Sequence, residues 1–346
     1  MRTAGGGHGE KLTALAQENP LQAEVLKLRR RWELASVLNF LDVFGPVIGR
    51  GLKLSAEDIE LGLIKPDASL AHLHVVLLKG MPPVSKKLDE PDAWVTELCK
   101  KLTLWWPWVA EGKIPIVPSK GEEISKYKEL DPLDRLLLLK ALCEVRADHH
   151  DVVSYIKHAL NEGTELSAFR KEAFGGDGKG TFYWYDASAK GHRLYKEIIT
   201  LNSKTQVNGN KSCSLPIISS QWETLASNLE EFSRVAGEFS SSNIAAEVVL
   251  GKKIQRDAIP PLERLHKKKV RQLKRKQSKE ALSSRTNDTS PAVSEQVGVR
   301  RSKRLAGVRS QSIMESRGLT VNQILRQRPI RNSAIPSVVL DSEDED

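Results

Sequence analysis

The sequence predicts an all-α fold: a three-helix bundle, a longer helical region that extends the same body and holds one short aromatic β-turn element, and a disordered basic tail. Three observations carry this expectation. Between residues 29 and 81 apolar side chains return every three or four positions, the period of helices with one face on a core. Residues suited to helix capping stand ahead of the apolar runs, and Gly or Pro follows them. Residues 252–331 hold 22 Lys and Arg against 6 Asp and Glu and are sparse in apolar side chains, so they cannot bury enough surface to fold alone.

Taken in order, residues 1–28 mix Gly, Ala and polar side chains and read as a flexible N-terminus. From Arg31, the residues Leu34, Val37, Leu38, Leu41 and Phe44 share one helical stripe, which Gly45 and Pro46 end. Ser55 and Asp58 have the spacing of a capping box for a second helix burying Ile59 and Leu63, closed by Pro66. Asp67 then caps a third helix, where Leu70, Leu73, Leu77 and Met81 recur until Gly80, Pro82 and Pro83 break the pattern. Phe40 stands about 100° from Leu41 around the first helix, which makes Phe40 the expected exposed anchor and Phe44 a member of the core stripe.

Beyond the bundle, assigned to residues 29–90, a second region runs over 91–250. Trp94, Leu98 and Lys101 or Leu102 share a helical face. Trp105, Trp106 and Trp108 around Pro107 suit either a platform for stacked bases or a core, and aromatics beside a helix break more often close a core. Residues 111–126, rich in Pro, Gly and Glu, read as a linker. Asp131 as N-cap, Pro132 at the first helical position and Asp134 in the first turn open a long helix. Its Leu133, Leu136, Leu137, Leu139, Leu142 and Cys143 cover more than one face, so it packs between neighbours. Over 174–198 a tight Asp-Gly turn leads into a short aromatic strand, with Tyr183 and Tyr185 on one side and Trp184 on the other. Ser220 and Glu223 read as another capping box, ahead of an amphipathic helix through Trp222, Leu225, Leu229, Phe232, Ala236 and Phe239.

Several chemistries are set aside on the residues themselves. Residues 175–181 (GGDGKGT) invite a phosphate-loop reading, but Gly180 separates the Lys from the Thr that a Walker loop needs beside it, and aromatics follow instead of a helix. Asp148, His149, His150 and Asp151 are adjacent, so on a helix they point apart and read as a charged terminus, not a metal site. Cys99, Cys143 and Cys213 are far apart and have no recognisable catalytic partner, which suits reduced thiols in an intracellular protein. No apolar run approaches the ~20 residues of a membrane span, and the first residues lack the apolar core of a signal peptide. A non-catalytic protein without cofactor, metal or small-molecule substrate is expected, with a cytosolic or nuclear address.

The order of the helical elements resembles a DDT domain. The resemblance rests on Leu38, Phe40, Leu41 and Phe44 in the first helix, on Leu52, Leu54, Ser55 and Ile59, and on Leu70, Leu73, His74, Leu77 and Leu78 in the third. That family occurs in chromatin-remodelling subunits and homeobox transcription factors, and its three-helix bundles act as binding modules. The run Tyr127, Leu130, Arg135, Leu136, Leu139, Leu142 and Cys143 is similar to the WHIM motif that follows DDT domains. Gly175, Asp177, Gly180, Tyr183 and Trp184, with Arg193 and Leu194 nearby, resemble its second element, although Gly178 stands where an Arg is common. The helix expected after Ser220 resembles a third segment weakly. The resemblance, closest to short plant DDT-related proteins, implies a nuclear subunit that binds an imitation-switch (ISWI) ATPase, helps sense linker DNA and regulates nucleosome spacing and transcription. Phe40, Phe44, Asp177, Tyr183, Trp184, Tyr185 and Arg193 are the expected contacts with that ATPase.

Residues 251–346 are assigned to the basic tail, which ends in five carboxylates among its last six residues and leaves residues 1–251 near neutral overall. Lys267, Lys268, Lys269, Arg271, Lys274, Arg275 and Lys276 lie in a cationic helical stretch and read as a nuclear localisation signal. Arg300, Arg301, Lys303 and Arg304 are candidate DNA contacts; any DNA affinity is expected to be electrostatic and to reside in 252–331. The acidic end can screen these cations or touch histones. The rival reading is a DNA-binding transcription regulator that works without a remodeller, against which stands the lack of a basic, base-reading face on the helices expected to fold.

Overall fold

In the computed structural model, which describes residues 19–286 apart from 50–51, 53, 189–190 and 203–216, the first apolar stripe forms α2 (Trp32–Val43) and buries Leu34, Val37, Leu38 and Leu41. A further helix, α1 (Pro20–Arg29), precedes it inside the stretch expected to be flexible; the Asn19 side chain caps it and Ala23, Val25 and Leu28 pin it to the body. Gly45 and Pro46 end α2, yet they also open a helical turn, α3 (Gly45–Ile48), since proline suits a first turn. The Ser55 and Asp58 capping box is present at the start of α4 (Ala56–Ile64). The Asp67 carboxylate accepts the Leu70 N–H at 2.8 Å and starts α5 (Ala68–Lys79).

The same core continues through α6 (Ala93–Val109), α7 (Glu122–Glu129) and α8 (Pro132–Ala147). α7 occupies ground expected to be linker because its Tyr127 is buried and its Glu123 carboxylate is held by the Thr96 hydroxyl at 2.6 Å and the Ser119 and Gly121 amides. Those bonds keep the Glu123 carboxyl down at about 2 against the opposing effect of burial. α8 lies between neighbours, as its leucines require, and Arg135 reaches from it to the last carbonyls of α4, donating to Leu63 and Ile64. A cation at a helix C-terminus also suits the helix dipole. Near the other end of α8, Arg146 runs over Gly80, where an added Cβ would stand 2.1 Å from the arginine Nε. It is paired with Asp151 on α9 (His150–Asn161), which takes that carboxylate away from any metal reading.

The all-α expectation is overturned after residue 174. Four antiparallel strands, β1 (Gly175–Gly176), β2 (Thr181–Ser188), β3 (Gly191–Asn202) and β4 (Ile217–Ala226), form one sheet in sequence order. The short aromatic strand is therefore one member of a sheet, and the helix expected from Ser220 is β4, its residues paired with β3 from Asn202↔Ile217 to Leu194↔Ala226. Trp222 and Leu225 are three apart, a spacing that fits a helix, but β4 lies on the open edge of β3 and takes up its backbone hydrogen bonds. The helix itself begins later: Asn228 accepts from the Glu231 N–H and caps α10 (Leu229–Ser240).

One face of the sheet and four helical segments make a second core. Tyr183, Leu194 and Ala226 meet Phe232, Val235 and Ala236 of α10, then Leu250 of α11 (Ala245–Lys253), Ile254 and Ala258 in a π-helical turn, and Leu262 of α12 (Ile259–Thr286). The chain is thus helical well past residue 250, through ground expected to be disordered, because Ile254, Ala258 and Leu262 complete this core.

Two outcomes follow from these cores. Ile254→Ala should cost about 2–5 kcal/mol in urea unfolding, the range for truncating a fully buried aliphatic side chain, whereas Leu273→Ala, at 59% exposure, should stay within about 0.5 kcal/mol. His74 is fully buried, donates from Nδ1 to the Leu70 carbonyl and stacks on Trp94 at 4.4 Å; burial pushes its pKa down to about 4. The stability carried by the neutral ring is whole above the ordinary value of 6.5 and is lost as pH falls from there toward 4, where the unfolded chain takes the proton first. Melting measured across that window should fall, and His74→Phe should flatten the fall.

Candidate functional site

The residues that join the bundle to the sheet form a buried charge cluster. Glu60 falls on the buried stripe of α4 with Ala56, Ile59 and Leu63, and its side chain is 2% exposed. Arg29, at the end of α1, grips it with two nitrogens: Nε donates to Oε1 at 3.0 Å and Nη2 to Oε2 at 3.0 Å. From the sheet, Arg193 on β3 brings Nη1 to 2.8 Å from Glu60 Oε1 and Nη2 to 3.7 Å from the half-exposed Glu57. The Arg193 contact is one of charge without aligned hydrogen bonds. β4 completes the seam: Thr224 donates to the Arg29 carbonyl at 2.7 Å, and Arg29 Nη1 donates to the Ser227 hydroxyl. One carboxylate thus stands between a cation of the first helix and a cation of the sheet.

Strand alternation sorts the expected contact residues. Tyr183 and Tyr185 lie on the face packed against α10, with Tyr183 2% exposed and edge-on to Phe239 at 5.5 Å. Tyr185 is half-buried against Phe174 and Phe232. Trp184 lies on the opposite face, half-buried, its Nε1 donating to Glu197 at 3.0 Å and its backbone paired with Tyr195. Asp177 holds the turn before β2 by accepting the Lys179 and Thr181 amides at 2.7 and 2.9 Å, bonds that draw its carboxyl below the usual range. Gly178, in place of the common Arg, has φ of +69°, a conformation that glycine adopts freely.

One expected position needs correcting. Phe40 is 7% exposed and belongs to the first core, since α2 packs on both α8 and the α3 turn and the Phe40 ring lies 5.2 Å from that of Phe44. Phe44 is the more open of the pair and sits in an aromatic group with Phe40, Tyr155 and Phe169 at 5.2–6.5 Å. Tyr183 and Arg193 are likewise interior. Among the tryptophans near Pro107, Trp106 closes the core, while Trp105 and Trp108 face outward at 41% and 82% exposure, beside Leu104 at 75%.

Sequence reasoning missed Glu60 and Arg29. The signal was present: Glu60 occupies the i+4 position of the Ala56–Ile59–Leu63 stripe, where a carboxylate signals a buried partner cation. The seven cations from Lys267 to Lys276 all lie on α12 and are exposed. Arg300, Arg301, Lys303 and Arg304 lie outside the described residues.

Replacing Glu60 by Gln keeps the shape but strands two arginines away from solvent, so global stability should fall by about 3–5 kcal/mol. Urea unfolding at low and high salt checks both the size of the loss and its origin, since a buried pair is little screened and the difference should persist at high salt.

No family model matches the chain, and no solved structure matches it. It is 45% identical over 265 residues, 76% of its length, to a protein of Arabidopsis thaliana described as "DDT domain-containing protein DDR4". The chain spans 35% of that protein's length. Over three quarters of its length the chain is therefore a relative of a plant DDT domain-containing protein, in keeping with the resemblance carried by its first bundle.

Proposed function

We propose that this chain is a non-catalytic nuclear subunit that holds an imitation-switch-type remodelling ATPase through residues 29–250 and acts on nucleosome spacing and transcription. The observation that carries the reading is the identity to a DDT domain-containing protein across most of the chain. The character of the folded part supports it: residues 1–251 are near neutral, and apolar and aromatic side chains stand open on its surface, a composition suited to an interface anchored by a few large residues. Of the contacts expected with the ATPase, Phe44, Asp177, Trp184 and Tyr185 keep partly open side chains. Phe40, Tyr183 and Arg193 act from beneath, by fixing the elements that carry them.

Nuclear entry falls to the exposed cations of α12, Lys267 to Lys276. Alanine at all seven, in a fluorescent fusion, should leave the protein spread through the cell; unchanged nuclear accumulation would assign import elsewhere. A DNA-binding regulator without a remodeller remains the rival reading, favoured by those same cations. Purification of the tagged chain from nuclease-treated nuclei separates the two. An imitation-switch ATPase recovered in near-equal amount, and retained in high salt as an apolar interface requires, is the expected result. Recovery of the chain without any ATPase, or loss of the ATPase on nuclease treatment, would sink the proposal.

A further inference from the structure

Past Leu262 the chain leaves the second core but remains helical. From Glu263 to Glu280 every residue is exposed except Val270, which is half-buried. At 1.5 Å per residue, the part of α12 from Glu263 to Thr286 is a rod roughly 35 Å long. Five of the nine Lys and Arg between Glu263 and Glu280 lie on one side. Counted from the inward Leu262 at about 100° per residue, Arg264, Lys267, Arg271, Lys274 and Arg275 fall between about 120° and 220°, whereas Val270 and Leu273 fall between about 20° and 80°. The one hydroxyl between Glu263 and Glu280 stands inside that cationic arc: Ser278, at about 160°. It is exposed, and its Oγ donates to the Lys274 carbonyl at 2.8 Å. Lys274 and Arg275, four and three positions before it, are its neighbours on the helix surface.

A serine kinase with an acidic substrate groove chooses its acceptor by the cations that precede it in sequence. Among the described residues Ser278 is the one serine or threonine with an arginine three positions before it, and Lys274 and Lys276 flank that arginine. Such an enzyme takes its substrate extended, so the helix must open locally. These turns of α12 are exposed, and like charges at i, i+4, Lys267 with Arg271 and Arg271 with Arg275, weaken them. A helix that does not rest on a core is marginal in water. Local opening around Ser278 therefore leaves both cores intact.

We propose that Ser278 is the phosphorylation site of a serine kinase that reads basic residues, and that its phosphate weakens nuclear import through Lys267 to Lys276. The effect on import rests on those cations being the import signal. In the reaction the Ser278 Oγ attacks the γ-phosphorus of ATP: the Oγ–P bond forms and the bond from that phosphorus to the β–γ bridging oxygen breaks. ADP leaves with that bond's electron pair, and the hydroxyl proton passes to a kinase carboxylate. The product carries about −1.5 to −2 charges at pH 7. From the middle of the cationic arc it draws Lys274 and Arg275 into charge-assisted hydrogen bonds, and the positive charge that an import receptor meets falls.

The test uses the full chain. Purified protein is incubated with magnesium ATP and the catalytic subunit of cyclic-AMP-dependent protein kinase, a probe that reads basic residues, and the phosphate is located by tandem mass spectrometry. Ser278 should be the main acceptor. Ser278→Ala and Arg275→Gln should each slow incorporation at least tenfold, the second with the acceptor hydroxyl still in place. Parental rates in either variant would overturn the site, as would phosphate confined to other residues such as Ser312, which has Arg309 three positions before it. In cells, a fluorescent fusion of the Ser278→Asp chain should show a nuclear-to-cytoplasmic ratio at least twofold below that of Ser278→Asn, which has the same shape without the charge. Equal ratios would overturn the effect on import. Nuclear accumulation of the fusion with alanine at all seven cations would instead remove the import signal, and with it the regulatory half of the proposal, while the kinase assay still decides the site.

Discussion

The carboxylate of Glu60, set between Arg29 and Arg193, is the interaction on which the rest of the arrangement depends. The chain makes two apolar cores, one among helices α1 to α8 and one between the sheet and α10 to α12, and hydrophobic burial alone does not fix how they face each other. A buried ion cluster does, because it is favourable only in one geometry: displaced by a few ångströms, each charge keeps its desolvation cost and loses its partner. The carboxylate and one cation come from the bundle, on α4 and α1, and the other cation comes from β3, so the buried Arg193 of the sheet finds its carboxylate partner only in the bundle. Thr224 and Ser227 extend the lock along the end of β4.

This seam separates two kinds of surface. On the folded part, charge is near balance and large apolar side chains stand open at Leu104, Trp105 and Trp108, with Phe44 and Trp184 half-covered. On α12, charge is dense and of one sign. Association through an apolar surface is driven by desolvation and is little affected by salt, whereas attraction to a dense array of like charges is strongly weakened by it. The continuous run from α11 through the π-helical turn to α12 ties the rod to the second core by Leu250, Ile254, Ala258 and Leu262, so the rod leaves the body at a defined place.

Much of the helical part was legible because it is written locally. The capping box at Ser55, the cap at Asp67 and the Asp131–Pro132 start are each contained within four residues, and each stands in the structure. The sheet was not legible, because strand pairing is long-range: β4 meets β3 across residues 203–216, and its Trp222 and Leu225 happen to fit a helical period as well as a strand. The fate of Phe40 was misjudged for a related reason. Its angle on α2 could be read, but not that Phe40 as well as the Leu34 to Leu41 stripe is taken into the core. Arg193 entered through resemblance, and only the fold gave it a partner, since Glu60 lies more than a hundred residues away in sequence. The cationic stretch was correctly read as helical around Lys267 to Lys276, while its anchoring by Ile254 and Ala258 was hidden in a composition that looks like tail.

If the Glu60 cluster makes the two cores one cooperative body, native-state hydrogen exchange will show it most directly. The slowest amides of α5, in the first core, and of β3, in the second, should open with the same free energy and the same denaturant dependence, as parts of one unfolding unit. Amides of β3 that exchange through a distinctly cheaper opening while α5 stays protected would contradict the coupling and leave the cluster a local contact only.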